Sequence, residues 1–256
     1  MILSRKHKTF KEGDWVLISY KNKNFLKKLE KGFNLNVKKE VIKFEDIIGK
    51  KEGEEIKGFQ IFRPTLEEII LFGLKRKTQI IYPKDSFFIA FKLDLSRKSK
   101  VLEVGVGSGA LTVVLSRLAK EVFAYEISKK FCKLALKNWQ KFDLCQNVKL
   151  FNEDFLEAKI RKNFFDAAFV DVKEPWHFVE KLHWGLKEGK TVGFLLPTTN
   201  QVSKLLESLK GFFGSVEVLE ILHRYYKVVP ERIRPEDRMV AHTGYLVFAK
   251  KTQKEK

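Results

Sequence analysis

The chain has 256 residues, of which 44% are hydrophobic, and its 50 Lys and Arg against 32 Asp and Glu give a formal net charge of +18. This length and apolar content allow one large domain or a large and a small one, which excludes a wholly disordered chain. The positive charge predicts a polyanionic partner, and nucleic acid is the first candidate. No apolar run approaches the roughly 20 residues that span a bilayer, so we expect no membrane segment.

The amino-terminal sequence and the cysteines limit location and metal chemistry. Residues 1–15 lack the apolar core of a signal peptide, so we expect a cytoplasmic protein. The two cysteines, Cys132 and Cys145, do not have the spacing of metal ligands, and we expect no metal site. A disulfide between them stays an alternative, because heat-adapted organisms retain such bonds inside the cell.

The first part of the chain differs in texture from the rest. Short β-like runs separated by Gly, Asn and Lys predict a small antiparallel β-domain over residues 1–63. Residues 64–77 then open with Pro64 and Thr65, carry acids in the first turn and end on basic residues, the pattern of a capped helix. We expect this helix to link the small domain to a second, larger domain. The second domain, counted with the linking helix, covers residues 64–256.

The second domain alternates strand and helix patterns, which predicts a doubly wound α/β sheet. Strands are expected near 101–105, 121–126, 147–151, 165–171 and 190–197, and helices near 109–119, 128–142, 176–187 and 198–213. Two further long strands, 215–229 and 242–251, have no helix between them, and they should form an antiparallel pair at the sheet edge.

A glycine-rich turn follows the first of these strands. In KVLEVGVGSGALTVVLS, residues 100–116, Gly105, Gly107 and Gly109 let the chain turn sharply and let a ligand approach the backbone at a helix amino terminus. The turn satisfies the dinucleotide pattern G-x-G-x-x-G/A and also E-x-G-x-G-x-G, with Glu103 as the leading acid. The turn alone therefore leaves both NAD and S-adenosylmethionine as ligands.

Acidic residues follow the next three strands, where an open α/β sheet binds its ligands. Glu126 is placed to accept hydrogen bonds from both ribose hydroxyls of a nucleoside. Asp154 could accept from an adenine amine, with Phe155 and Ile127 on the two faces of the ring. Asp171 follows the fourth strand.

The cofactor is chosen by what accompanies the turn. We find no hydride-transfer residues that would complete an NAD site, and the closing pair of strands without a helix is typical of the fold of S-adenosylmethionine methyltransferases. We therefore expect an α/β, Rossmann-like class I methyltransferase sheet with an antiparallel last strand and S-adenosylmethionine as cofactor. An NAD-dependent oxidoreductase is the alternative.

Segments of both domains resemble the prokaryotic tRNA (adenine58-N1)-methyltransferases: FEDIIGKKEG, RKTQIIYPKD, LEVGVGSGALT, DVKEPW and HTGYLVFAK. The resemblance implies a homotetrameric enzyme that methylates N1 of adenosine 58 in the tRNA T-loop. It also implies a catalytic acid, Asp171, and a tyrosine beside the target pocket, Tyr82. The cofactor site that it implies comprises Gly105, Gly107, Ser108, Gly109, Ala110, Leu111, Glu126, Asp154, Phe155 and Asp171.

The sequence departs from the family pattern after the catalytic acid. The family commonly has Asp-x-Pro-x-Pro-Trp, whereas Lys173 replaces the first proline here, so we expect a less rigid loop. A non-catalytic tRNA-binding subunit is a second alternative, but such a chain should have lost the glycine turn and the acid.

Substrate contacts are expected from aromatic and basic residues. A target base must leave its stack before its Watson-Crick edge is reached, and aromatic side chains then replace the lost stacking. Tyr82 and Trp176 are the candidates, with weaker ones at His177, Tyr225 and Tyr226. We expect phosphate contacts from five basic residues near the edge pair: Arg224, Lys227, Arg232, Arg234 and Arg238.

Overall fold

The computed structural model describes residues 9–21, 23–239 and 241–253. The first eight residues, part of the stretch without a signal-peptide core, lie outside the described residues. The chain divides into two compact units, Met1–Leu74 and Lys75–Lys256. In the part of the chain that the structure describes, no helix combines the length and the apolar character needed to cross a membrane.

The first unit contains the antiparallel β region that the short β-like runs predict. A four-stranded sheet has the order β2-β1-β6-β5, and β3 pairs with β4 in a separate hairpin. Alternate residues of β1, Val16, Ile18 and Tyr20, are buried in the core of this unit. The elements are β1 Trp15–Tyr20, β2 Lys23–Lys28, β3 Asn34–Val37, β4 Glu40–Lys43, α1 Phe44–Ile47, β5 Glu55–Ile56 and β6 Phe59–Phe62.

The helix expected over 64–77 is shorter and belongs to the first unit. It begins as α2, Leu66–Glu68, and continues as a π-helical turn, Ile69–Gly73. The Thr65 hydroxyl accepts from the backbone N–H of Glu68, whose carboxylate accepts from the backbone N–H of Thr65, so a capping box fixes the start of the helix.

The second unit is a seven-stranded sheet with helices, as the alternating pattern predicts. Its strand order is β12-β15-β11-β10-β7-β8-β9, and only β15 runs antiparallel to its neighbours. The strands are β7 Lys100–Val104, β8 Glu121–Tyr125, β9 Val148–Phe151, β10 Phe165–Val170, β11 Leu186–Leu196, β12 Phe213–Leu219 and, after a small hairpin of β13 Tyr226–Lys227 and β14 Arg234–Pro235, β15 Tyr245–Lys251.

The helices of this unit include one that the pattern did not predict. That helix, α3, has Pro83 at its first position, and the residues that it buries include Asp85 and Ser86. Polar residues on the buried face interrupt the apolar periodicity that would announce a helix. The helices are α3 Pro83–Lys92, α4 Ala110–Leu118, α5 Lys129–Lys141, α6 Val179–Gly185, preceded by a 3-10 turn at Pro175–Phe178, and α7 Thr199–Leu209.

The strand expected over 215–229 ends much earlier. Its last residue, Leu219, pairs with Leu246 near the start of β15, and the chain beyond has no neighbouring strand to pair with in this sheet. We call residues 220–244 the edge arm. Because β12 runs parallel to β11, the edge arm leaves and rejoins the sheet at the carboxyl edge, where β7, β8 and β10 also end.

Candidate functional site

The glycine turn joins β7 to α4, and its shape requires glycine. Gly105, Gly107 and Gly109 have φ of +90°, +57° and +81°, a region that other residues adopt with strain. A Cβ on Gly105 would collide with the backbone carbonyl oxygen of Asp171, and one on Gly109 would collide with the indole of Trp139. The backbone of the turn therefore lies directly against the end of β10.

Glu126 follows β8 and holds the glycine turn. Its buried carboxylate accepts from the backbone N–H of Val106 and Gly107 at 3.1 and 2.9 Å through Oε2, and from that of Ser128 at 2.9 Å through Oε1. A carboxylate has about four lone-pair positions, and three are used. Glu126 was expected to serve both ribose hydroxyls, but its remaining capacity suits one such bond.

Asp171 follows β10 and lies next to the turn. Its backbone N–H donates to the Val104 carbonyl at 2.9 Å, which continues the pairing of β10 with β7 by one residue. Burial, and then the negative charge of Glu126, raise the pKa of the Asp171 carboxyl to about 6. The residue is nevertheless exposed, so water reaches it and screens part of this effect.

Two cavities meet around these residues. The inner cavity, of ≈ 320 Å³, has the glycine turn, residues 78–81 and Asp171 in its wall. The outer cavity, of ≈ 290 Å³, includes Asp154, Phe155 and His177. Gly105, Glu126 and Val172 line both cavities. Together they form one elongated cleft at the carboxyl edge of the sheet, of the size that small-molecule ligands occupy.

The structure brings most of the predicted cofactor residues to this cleft. The inner cavity is lined by Gly105, Gly107, Ser108, Ala110, Leu111, Glu126 and Asp171, and the outer one by Asp154 and Phe155 in addition. Gly109 lines neither cavity, because Trp139 covers it. Ile127 lines the outer cavity as expected.

Two of the outer residues already have protein partners. Phe155 is buried, and its ring packs against Tyr125 and Phe178 with centroids 5.1 and 5.9 Å apart. Asp154 Oδ1 accepts from the backbone N–H of Leu156 at 2.9 Å. Asp154 therefore has one carboxylate oxygen left for a ligand, and Phe155 can offer only the side of its ring that faces the cavity.

Of the predicted substrate residues, His177 lines the outer cavity, whereas Tyr82 and Trp176 lie outside the cavity walls. Tyr82 is half-buried, and its carbonyl accepts from the first turn of α3, so it is the N-cap residue directly before this helix. Trp176 lies under the ammonium group of Lys204, 4.1 Å from the ring centroid, and its indole N–H donates to His177. Neither aromatic residue lines the inner or the outer cavity.

Glu103 adds an unpaired acid to the inner cavity. It is 1% exposed, and in the described part of the chain neither carboxylate oxygen has a hydrogen-bond partner. Burial raises its pKa to about 8; Thr112 opposes the rise, although its hydroxyl does not reach hydrogen-bond geometry, and Asp171 and Glu126 add to it. Three carboxyl groups, with no Lys or Arg in the wall, suit a cationic ligand and not a pyrophosphate.

Glu103 should make the ligand-free protein less stable as pH rises. The pKa of Glu103 in the folded protein lies above its ordinary value of 4.5. Its contribution to the free energy of unfolding is therefore fully present below pH 4.5 and is lost as pH rises through about 8. We expect Glu103→Gln to remove this loss of stability, so the variant should melt a few degrees above wild type at pH 9. Each kcal/mol in the free energy of unfolding should raise Tm by about 2–4 °C. Calorimetric Tm values from pH 4.5 to 9 check this, and two parallel curves would contradict it.

Asn138 and Trp139 support the cleft from behind and were not predicted from the sequence. The buried Asn138 amide donates to the carbonyls of Ser108 and Lys75 at 2.9 and 2.8 Å and accepts from the Lys75 N–H at 2.9 Å. The Trp139 indole N–H donates to the Gly109 carbonyl at 3.2 Å. The only sequence signal is an Asn within a helix, where its intrinsic propensity is poor.

Asn138→Ala should weaken binding of S-adenosylmethionine by about tenfold, because three backbone groups lose a buried partner and the glycine turn loses its attachment to residue 75. Asn147→Ala is a matched control, since its amide also bonds to three backbone groups, the carbonyls of Ser116, Ala119 and Lys120 at the far end of α4. The control should lose stability but keep its affinity in calorimetry. Equal loss of affinity in both variants would contradict a specific role for Asn138.

Neither cysteine takes part in the cleft. Cys132 and Cys145 are free thiols, and both line a separate cavity of ≈ 380 Å³ between α5 and the edge strand β9. Burial raises the pKa of the Cys145 thiol to about 12, which leaves it protonated and unreactive. Among the described residues, no group of three or more His, Cys, Asp or Glu could hold a metal ion.

Known proteins share both the sequence and the fold. Residues 59–238 match the family described as the tRNA methyltransferase complex GCD14 subunit. The crystal structure of tRNA (m1A58) methyltransferase TrmI from Aquifex aeolicus is 59% identical, with a TM-score of 0.94 over 96% of this chain and 100% of that one.

Two further relatives are similar over most of their length. The tRNA (adenine(57)-N(1)/adenine(58)-N(1))-methyltransferase TrmI of Methanocaldococcus jannaschii is 30% identical, covering 86% of this chain and 92% of the relative. A Thermotoga maritima structure described as a SAM-dependent O-methyltransferase is 41% identical, with a TM-score of 0.90 over 97% of this chain and 96% of that one.

Proposed function

Because the chain belongs to the family of tRNA methyltransferases that it matches over residues 59–238, we propose that it transfers a methyl group from S-adenosylmethionine to N1 of adenosine 58 in the T-loop of tRNA. One observation carries the assignment to this cleft. Asp171, at the end of β10, lies against Gly105 in a cavity that has two other carboxyl groups and no Lys or Arg side chain in its wall. This charge suits a cofactor that carries a sulfonium and an ammonium group.

The residues of the cleft divide between the two halves of the cofactor. When bound, S-adenosylmethionine supplies a methyl group that is already electrophilic. We infer that Glu126 and Asp154 hold the adenosine half, and that the inner cavity, with Glu103 and the glycine turn, holds the methionine half. The NAD alternative is disfavoured because the inner cavity would set three carboxyl groups against a pyrophosphate.

Asp171 is the residue that acts on the substrate base. N1 of adenine has an available lone pair, so the ring needs no cysteine nucleophile. We infer that the Asp171 carboxylate accepts a hydrogen bond from the N6 amine and so aligns N1 with the methyl group, an effect that in well-oriented reactions reaches effective molarities of about 10⁵ M or more. Its negative charge also stabilises the positive charge that develops on the adenine.

A tRNA with one altered base tests this function. The protein, incubated with methyl-labelled S-adenosylmethionine, should label an unmodified tRNA transcript and should not label the same transcript carrying uridine in place of adenosine 58. Equal labelling of both transcripts would place the methyl group elsewhere, and no labelling of either would favour the non-catalytic subunit.

Binding of tRNA should depend steeply on salt. A chain of net charge +18 that contacts several phosphates releases the counterions of those phosphates on association. We expect the logarithm of the affinity to fall with the logarithm of the salt concentration with a slope whose magnitude is well above one. Filter binding between 50 and 300 mM salt measures it, and a flat dependence would leave the basic surface without a role in binding.

The assembly and location are also proposals. We propose a homotetramer that works in the cytoplasm, where its tRNA substrate is processed; the resemblance to the prokaryotic enzymes supports the assembly. Light scattering of the purified chain should give four times the 30.0 kDa of the monomer.

A further inference from the structure

A buried ionic cluster lies at the start of α3. The ammonium group of Lys84 donates to both carboxylate oxygens of Asp85 at 2.8 and 2.9 Å, to the hydroxyl of Thr243 at 2.8 Å and to the carbonyl of Ile221 at 2.8 Å. The Thr243 hydroxyl donates in turn to Asp85 at 3.0 Å. The two charged side chains are 10% and 4% exposed, so the cluster is almost fully removed from water.

This cluster ties together parts of the chain that are far apart in sequence. Lys84 and Asp85 directly follow Tyr82 and Pro83, whereas Ile221 and Thr243 are at the two ends of the edge arm. The cluster thus holds both ends of the edge arm against the helix that begins after Tyr82.

A second attachment closes the base of the edge arm. His242 contacts the Glu220 carboxylate at 2.7 Å through Nδ1 and the Pro197 carbonyl, at the end of β11, at 3.1 Å through Nε2. Between these attachments the described residues of the edge arm are almost all exposed, and they are braced by the hairpin of β13 and β14 and by Asp237, which pairs with Lys227 and Arg234.

The exposed surface of the edge arm suits RNA. Tyr225 and Tyr226 are 67% and 50% exposed, and aromatic side chains of this kind can stack on unpaired bases. Arg224, Arg232 and Arg238 are exposed and pair with no carboxylate in the described part of the chain, so they are available for phosphates. The edge arm leaves the sheet at the same edge as Asp171.

We propose that Lys84 and Asp85 are positioning residues for the RNA substrate: they fix the edge arm relative to Tyr82, and thereby hold the surface that binds the tRNA in place. The inference rests on the proposed function and adds the surface that receives the tRNA. A buried ion pair is rarely the most stabilising way to fill a core, but it demands one geometry, because each charge must meet its partner. A cluster with one required geometry is suited to holding the edge arm in one position.

The test compares variants of the cluster with a variant of a second, more exposed ion pair that also involves α3. Lys84→Met and Asp85→Asn break the cluster, and Thr243→Val removes only a hydroxyl, so this variant keeps the test informative if the charged variants fold poorly. Lys92→Met is the control, because Lys92 pairs with Glu217 and so joins the other end of α3 to β12.

Four measured quantities separate positioning from a general structural role. We expect the cluster variants to raise KM for tRNA about tenfold, to leave kcat within about twofold and to leave the affinity for S-adenosylmethionine unchanged. Trypsin should cleave the edge arm, at Arg224 to Arg238, at least fivefold faster than in wild type. The control should change none of these quantities.

Either of two results would overturn the proposal: unchanged trypsin cleavage and KM in all three cluster variants, or equal losses of tRNA and cofactor binding. If the wild-type chain methylates no tRNA, the proposed function fails by itself. The cluster is then judged by trypsin cleavage and by the filter-binding affinity for tRNA, which the variants should weaken and the control should not.

Discussion

Replacing Asp171 with Ala should lower kcat for tRNA methylation by about 10² or more while the affinity for tRNA changes little. The carboxylate is expected to offset a positive charge that exists mainly in the transition state, so its loss appears in turnover and not in ground-state binding. Assays at saturating S-adenosylmethionine and tRNA measure it, and calorimetry must show that the cofactor is still bound. Near-normal kcat would remove Asp171 from the mechanism and direct attention to Tyr82.

Two further variants separate the roles of this carboxylate. Asp171→Asn keeps the shape and one acceptor, so it should fall between wild type and Ala if orientation matters and should match Ala if only charge matters. Asp166→Ala, at the other end of β10 and paired with Lys187, is the matched control and should leave kcat unchanged. An equal loss in this control would point to damage of the strand.

The pH dependence follows from the same residue. The ionised form of Asp171 is the active one, and the pKa of its carboxyl is raised from 3.8 toward about 6, so kcat/KM should fall as pH decreases below about 6. Asp171→Asn should not show this fall of kcat/KM at low pH, because an amide does not titrate there.

Replacing Glu126 with Ala should weaken binding of S-adenosylmethionine at least tenfold. The change removes an acceptor for a ribose hydroxyl and leaves the N–H groups of Val106, Gly107 and Ser128 without their partner, each worth about 1–3 kcal/mol when buried. The glycine turn should loosen as well, so Tm should fall together with the affinity. Calorimetry with the cofactor gives the first quantity and thermal unfolding the second.

Two controls accompany Glu126→Ala: one replaces Glu126 with a side chain of the same shape, and the other changes a different residue of β8. Glu126→Gln should not restore binding. Both carboxylate oxygens of Glu126 accept from backbone N–H groups, so the NH₂ group of a glutamine would face a donor in either orientation. Glu121→Ala, at the other end of β8, removes a partly exposed pair with Lys149 and should leave the affinity unchanged. Wild-type affinity in Glu126→Ala would mean that the ribose is held elsewhere and that the turn supports itself.

The sequence predicts those parts of the site that depend on local pattern. The glycine turn after β7 and the acids after β8 and β10 are set by the alternation of strand and helix, and the structure places all three at one cleft. The antiparallel pair of β12 and β15 is confirmed for the same reason, since no helical pattern separates the two strands.

The remaining features depend on contacts between distant residues. Helix α3 was not predicted because Asp85 occupies its buried face, where its carboxylate is paired with Lys84 and with the distant Thr243. The early end of β12 follows from where β15 begins. The contacts of Asn138 reach back 63 residues to Lys75, and a pattern within one helix cannot reveal them.

The position of the transferred methyl group tests the account most directly, because one similar structure is described as an O-methyltransferase. An unmodified tRNA incubated with the protein and S-adenosylmethionine should be digested to nucleosides, and chromatography with mass spectrometry should then separate 1-methyladenosine from its 2′-O-methyl isomer. We expect 1-methyladenosine, mapped to position 58 by fragment analysis and absent with Asp171→Ala. A 2′-O-methyl product, or 1-methyladenosine only at other positions, would contradict the proposed function.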